Sequence, residues 1–229
     1  VLPLLALYEV GIAWLGPETP GAYRTGADGW MRSVLGELGL TDRWIVPLAL
    51  VLGLLVWQSI EPGPWRVRPR WLLGMFLESA GFAVALVAIS HLVDLGFQRW
   101  EGHSLLETAA NSAAQGTPAS ARWATELGFL GAGIYEEAMF RLLLVPLVYG
   151  LGRLVHTPET IAGSLAITVS AVAFALAHHA GTPGEPFTWY AFVFRWLAGI
   201  AFAAVFVYRG FGIAVGAHAF YDIVVARLA

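Results

Sequence analysis

The chain contains no cysteine and no lysine. Without cysteine there is no disulfide framework, no thiolate nucleophile and no sulfur-ligated metal, and the redox compartment cannot be read from cysteine usage. Without lysine, all 13 basic residues are arginine, whose guanidinium stays charged wherever the fold puts it. Charge is scarce, at 13% of residues with a net charge of -3, which leaves no basic footprint for nucleic acid. No HExxH helix, GxSxG elbow, internal repeat, coiled-coil heptad or low-complexity segment is found. Zincin, serine-elbow and cysteine-protease chemistry are thereby excluded. Neither a charged n-region nor a small-residue cleavage site follows Val1, so no removable signal peptide is expected.

What is abundant is apolar. Hydrophobic residues make up 58% of the chain, the mean hydropathy is +0.67, and 10 tryptophans suit a membrane interface. The expected fold is all-α: one integral membrane domain over residues 1–229, a polytopic bundle of six to eight segments around an intramembrane polar cavity. Leu2 to Leu15 is a short first segment interrupted by Pro3 and Glu9, either a tilted span or an interfacial helix. Residues 17–43 form a polar connection with a short helix around Trp30 to Gly39, and Trp44 to Ile60 is a span. The link EPGPWRVRPR, with three prolines and three arginines, stops that helix and carries a basic cluster of the kind retained on the cytoplasmic side. The cytoplasmic membrane of a bacterium is the expected location.

Trp71 to about Phe97 is the next span, followed by a polar stretch over 98–120. Arg122 to about Arg153 either spans once with tilt or breaks in two near Pro146. Spans over about Thr160–His178, Phe187–Tyr208 and Phe211–Leu228 complete the chain. If the Arg122–Arg153 element spans once, the arginine-free GTPGEP turn lies outside, and the polar cavity opens toward that face.

The informative stretch is GAGIYEEAMFRLLLVPLVY, Gly131 to Tyr149, where two glutamates and an arginine interrupt an apolar run. Each charge at mid-membrane costs at least about 2.5–3.5 kcal/mol, so each needs a partner or a wet cavity. Glu137 and Arg141 are i and i+4, acid before base, and satisfy each other as a structural pair. Glu136 points about 100° away and has no partner in its own helix. Two later spans bring further polar groups: FALAHH, with Phe174 packing under His178, and HAFYD, with His218 and Asp222 one turn apart. Lipid solvates none of these, so Glu136, His178, His218 and Asp222 are expected to converge on one cavity. His179 is read as structural. Glu78, His91, Asp94 and Arg195 are read as pairing within the bundle or reaching the interface.

Two chemistries fit that convergence. Glu136 with His178 would deprotonate a water for attack on a peptide carbonyl while His218 supports the oxyanion. Alternatively, Glu136, His178 and His218 form a His₂Glu set for a catalytic zinc, with Asp222 behind it as an orienting carboxylate. If ionised, Asp222 accepts the Nδ1 proton of His218.

EEAMFR reads as EExxxR, FALAH as FxxxH and HAFYD as HxxxD/N, in order and on successive apolar segments. From about residue 121 to the end, the chain resembles the CPBP family of CAAX prenyl proteases and bacteriocin-processing enzymes. The resemblance implies an intramembrane, glutamate-dependent endopeptidase in which Glu136 and His178 activate water, while His218 and Asp222 help hold the oxyanion. It implies a peptide or lipidated protein tail as substrate, membrane lipid as surroundings, and no cofactor, with zinc as the alternative. Eukaryotic CAAX-processing members carry asparagine where this chain has Asp222. Two other functions are compatible with the same residues: a non-catalytic scaffold or immunity protein of the same fold, and a proton-coupled transporter.

Overall fold

The computed structural model describes residues 1–15, 24, 26–60, 68–101, 119–180 and 186–228, excepting the side chains of 100, 101 and 119–122. Most of the arginine-rich link, the polar stretch after Glu101 and the GTPGEP turn therefore lie outside the described residues, as does any orientation read from them. Within the described residues every regular element is helical. The helices are α1 (Leu2–Leu15), α2 (Gly26–Glu37), α3 (Ile45–Ile60), α4 (Pro69–Glu101) and α5 (Ala119–Glu137). A π-helical segment, Ala138–Leu144, leads directly into α6 (Val145–Leu154), and α7 (Glu159–Ala177), α8 (Trp189–Arg209) and α9 (Phe211–Leu228) follow.

Four of these, α4, α7, α8 and α9, are long and apolar enough to cross a membrane. At 1.5 Å per residue, the 16 residues of α3 reach only about 24 Å, short of a hydrocarbon core of about 30 Å. The sequence reading of Trp44–Ile60 as a full span is shortened accordingly. Side-chain exposure agrees with a lipid surround: the apolar window of α4 is only 17% buried, and Leu52, Leu73 and Leu77 are each about three-fifths exposed. A surface so apolar is untenable in water and ordinary against hydrocarbon. The chain is a helical integral membrane protein.

Local sequence sets the helix ends. Thr188 accepts the Ala191 N–H at 3.1 Å and caps α8, which stops at Gly210, whose φ of 91° is one that side-chain-bearing residues avoid. Of the two readings of the Arg122–Arg153 element, the break near Pro146 is absent. The chain stays helical through Pro146, which falls in the first turn of α6 directly after the π-helical segment. The irregularity lies one turn earlier, as the π-helical segment.

α9 is the central helix, packed against α4, α5 and α8, and every residue from Ile213 to Ala219 is buried. Two glycines let backbones meet around it. A Cβ on Gly133 of α5 would lie 2.9 Å from the Val215 carbonyl oxygen of α9, and one on Gly199 of α8 would lie 2.9 Å from Ala171 Cα of α7. These approaches bring α5, α7, α8 and α9 close enough for their polar side chains to meet.

Candidate active site

Glu136 and Glu137 close α5, and the π-helical segment begins at the next residue. π-helical turns are uncommon and frequent at functional sites, because the wider turn re-aims the side chains around it. The backbone here is also tied across the bundle, with the Ser170 hydroxyl of α7 donating to the Phe140 carbonyl at 2.7 Å.

The two glutamates face different surroundings. Glu137 is fully buried, with Oε1 2.9 Å from His218 Nδ1 and 3.1 Å from Arg141 Nη1. Arg141, equally buried, donates through Nη2 to the Gly199 carbonyl at 3.2 Å. Its guanidinium carbon lies 4.4 Å from the centre of the Phe174 ring, a cation–π contact that helps hold the charge away from water. The expected Glu137–Arg141 pair is therefore present, and it also holds a histidine.

Glu136 points to the open side. Its Oε2 lies 3.7 Å from His178 Nε2 and 3.9 Å from His218 Nε2, and Asp222 Oδ2 is 3.6 Å from the same His218 nitrogen. Glu136, His178 and Asp222 keep 15%, 24% and 22% of their side-chain surface exposed, against 5% for His218 and none for Glu137 or Arg141. One side of the cluster opens outward and the other is sealed.

The histidine rings are fixed from behind. His178 Nδ1 lies 2.9 Å from the Phe174 carbonyl, which selects the tautomer with a proton on Nδ1 and leaves Nε2 facing Glu136. The Phe174 ring sits edge-to-face with both His178 and His218, at 4.8 and 5.7 Å. Phe202 of α8 stacks on His218 at 4.6 Å, nearly parallel at 16°.

All four residues expected to converge do so, but the partner of His218 Nδ1 is Glu137. Asp222 approaches the other nitrogen instead. A residue one turn away on the same helix is not the nearest acceptor once α5 packs against α9. The remaining polar residues behave structurally. His91 Nδ1 lies 2.8 Å from the Val87 carbonyl of its own helix, Gln98 donates to Asp94 at 2.6 Å, Glu78 pairs with Arg209, and the His179 ring packs against Phe187 at 5.1 Å. Arg195 lies within electrostatic reach of Glu136 and Asp222. No group of three or more His, Asp or Glu side chains among the described residues is arranged to hold a metal ion.

Sequence reasoning missed a second ionic cluster, which abuts α5 on another face. Tyr135 donates to Glu9 Oε1 at 2.5 Å and Tyr8 donates to Asp28 Oδ2 at 3.0 Å. Arg24 bridges the two carboxylates, at 2.5 Å to Asp28 and 3.3 Å to Glu9, and Arg32 donates to Asp28 Oδ1 at 2.7 Å. Burial alone would lower the Arg24 pKa, but hydrogen bonding to Asp28 and the charges of Asp28 and Glu9 hold it above the usual arginine value. Two signals were available: an acid inside the apolar α1, which needs a partner as Glu136 does, and the Arg24–Asp28–Arg32 spacing of four.

Residues 118–224, which contain every residue of the open cluster, match the family model described as type II CAAX prenyl endopeptidase Rce1-like. No curated protein and no solved structure matches the chain.

Proposed function

Because the chain belongs, through residues 118–224, to the type II CAAX prenyl endopeptidase Rce1-like family, we propose that it is an intramembrane endopeptidase that hydrolyses a peptide bond in a membrane-associated or lipidated protein tail. The observation that carries this reading is Glu136 Oε2, a buried acceptor without a hydrogen-bond partner, set between the Nε2 atoms of two histidines at 3.7 and 3.9 Å. Those separations are too long for direct hydrogen bonds and call for a bridging water.

In this mechanism a water on the open side donates one proton to Glu136 and another hydrogen bond to His178 Nε2, which is an acceptor because Nδ1 is committed to the Phe174 carbonyl. The water oxygen bonds to the carbonyl carbon, and the carbonyl oxygen takes the negative charge. His218, held through Nδ1 by Glu137, presents Nε2 to that oxygen when the ring is protonated. The C–N bond then breaks, and the proton held by Glu136 passes to the leaving nitrogen. No cofactor enters these steps.

The stacked Phe202 and the edge-on Phe174 keep bulk water from the sealed side, where an unscreened field is most effective. In the membrane, α1, α3 and the helical run over 119–154 complete the bundle of six to eight segments around this cavity, and the arginine-rich link keeps its end of the bundle on the cytoplasmic side. The test is incubation of the purified protein with peptides ending in a CaaX sequence, prenylated and unmodified, followed by mass spectrometry. A new carboxyl terminus in the product supports the reading. Intact peptides with folded protein, across both sets, sink it.

A further inference from the structure

The N-terminal ionic cluster and the open cluster meet at adjacent residues, Tyr135 and Glu136. Successive residues of a helix are rotated by about 100°, so whatever stops Tyr135 from turning also fixes the direction in which Glu136 leaves α5. Tyr135 is fully buried, and its hydroxyl ends on Glu9 at 2.5 Å. Glu9 is anchored in turn by Arg24 at 3.3 Å, and Arg32 stands 3.5 Å away.

One turn earlier, Tyr8 lies against Gly131 so closely that a Cβ there would come within 2.3 Å of its ring, and the two tyrosine rings meet edge-to-face at 5.6 Å. α5 is thus held from behind by Tyr8 of α1 and through its own Tyr135, whose hydroxyls both terminate on carboxylates held by arginines. On the opposite side α5 packs against α9, and there His218 and Arg141 hold Glu137, while Glu136 meets its imidazole neighbours only at 3.7 and 3.9 Å. The helix becomes π-helical immediately after Glu137, so packing of α6 reaches the glutamates only through a wider and less regular turn.

We propose that Tyr135, acting through Glu9, is a positioning residue that sets the rotation of α5 and thereby aims Glu136 at His178 and His218. This rests on the endopeptidase reading for its activity readout. It does not need that reading for its structural one. Small rotations matter because displacement of a reacting group by about 1 Å can cost about a hundredfold in rate.

The test uses the full chain with Tyr135→Phe, Glu9→Leu and Glu9→Gln, the last keeping an amide oxygen that accepts the tyrosine proton. Each variant is measured for turnover and KM per folded molecule and for the ¹⁵N chemical shifts of its histidine rings. Tyr135→Phe and Glu9→Leu are expected to lower turnover about tenfold to about a hundredfold with KM little changed. They are also expected to shift the His178 and His218 resonances, and the double variant to be no worse than Glu9→Leu, which already removes the Tyr135 bond along with the arginine contacts. Glu9→Gln, whose amide oxygen still accepts from Tyr135 but which gives up the charge facing Arg24, is expected to fall between wild type and Glu9→Leu in both readouts. Turnover and histidine shifts equal to wild type in Tyr135→Phe would overturn the proposal, as would loss of folded protein alone with normal turnover in what remains. If the wild-type protein cleaves no peptide, the endopeptidase reading fails, and the histidine shifts still decide whether Tyr135 positions Glu136.

Discussion

Two clusters of buried charge flank α5, and they are built on opposite plans. Around Glu9 and Asp28, all four carboxylate oxygens accept a hydrogen bond, from Tyr8, Tyr135, Arg24 or Arg32, at 2.5 to 3.3 Å. Around Glu136 and Glu137, one oxygen of each glutamate is buried without a hydrogen-bond partner, and the Glu136 and Asp222 contacts to imidazole run from 3.6 to 3.9 Å. Unsatisfied buried acceptors are costly, and a fold that satisfies every carboxylate oxygen of one cluster has the means to satisfy those of the other. On the proposed reading, the cluster with unsatisfied carboxylate oxygens accommodates water and substrate, and the other anchors helices. Glu137 belongs to both kinds: it is sealed with Arg141 as an anchor, yet it holds the imidazole of His218.

Substitutions separate these roles. The largest effect on turnover is expected for Glu136→Gln, which removes the base and should abolish detectable cleavage, a loss of about 10²–10⁴-fold, while thermal melting stays near wild type. A large melting shift in that variant would show that Glu136 is an anchor after all. Asp28→Ala should do the reverse, costing about 3–5 kcal/mol of stability by stranding Arg24 and Arg32, as read from melting in detergent. Glu137→Gln should show both signatures. It strands Arg141, so melting falls by an amount matched by Arg141→Ala, and turnover of the surviving folded protein also drops because His218 loses its charged acceptor.

Asp222→Asn is expected to cost at most about tenfold, less than the loss of an oxyanion donor, because Glu137 and not Asp222 orients the ring. A hundredfold loss would return that role to Asp222. The smallest effect is expected from prolonged chelation, which should leave cleavage unchanged. Activity lost to a chelator and restored by zinc would promote Glu136, His178 and His218 to metal ligands.

How much of this was legible depends on how local the information is. Helices α7 to α9 fall within about two residues of their expected ends, because long apolar runs bounded by proline, glycine and capping residues define themselves. The Glu137–Arg141 pair was legible from a spacing of four. Convergence of Glu136, His178, His218 and Asp222 followed from the cost of leaving charge in lipid, a constraint that needs no coordinates. The acceptor for His218 Nδ1 was not legible, since Glu137 is 81 residues away in the chain, and neither was the Tyr135–Glu9 bond across 126 residues. The π-helical segment escaped as well. Its residues AMFRLLL are apolar apart from one arginine, so no polar face marks whether the turn holds 3.6 residues or more.

That segment also gives the molecule a sensitivity to insertions and deletions. Upstream of Ala138, the direction of the glutamates is referred to the tyrosines and to α9. Downstream, α6 packs against α7. The seven π-helical residues act as a vernier between two scales that are each fixed elsewhere. Removing one residue would permit tighter, more regular helical hydrogen bonding, yet turn one scale against the other by about 100°, and either the carboxylates or the whole of α6 would face the wrong way. A stretch whose hydrogen bonding departs from the regular α-helix is thus one whose length is tightly specified.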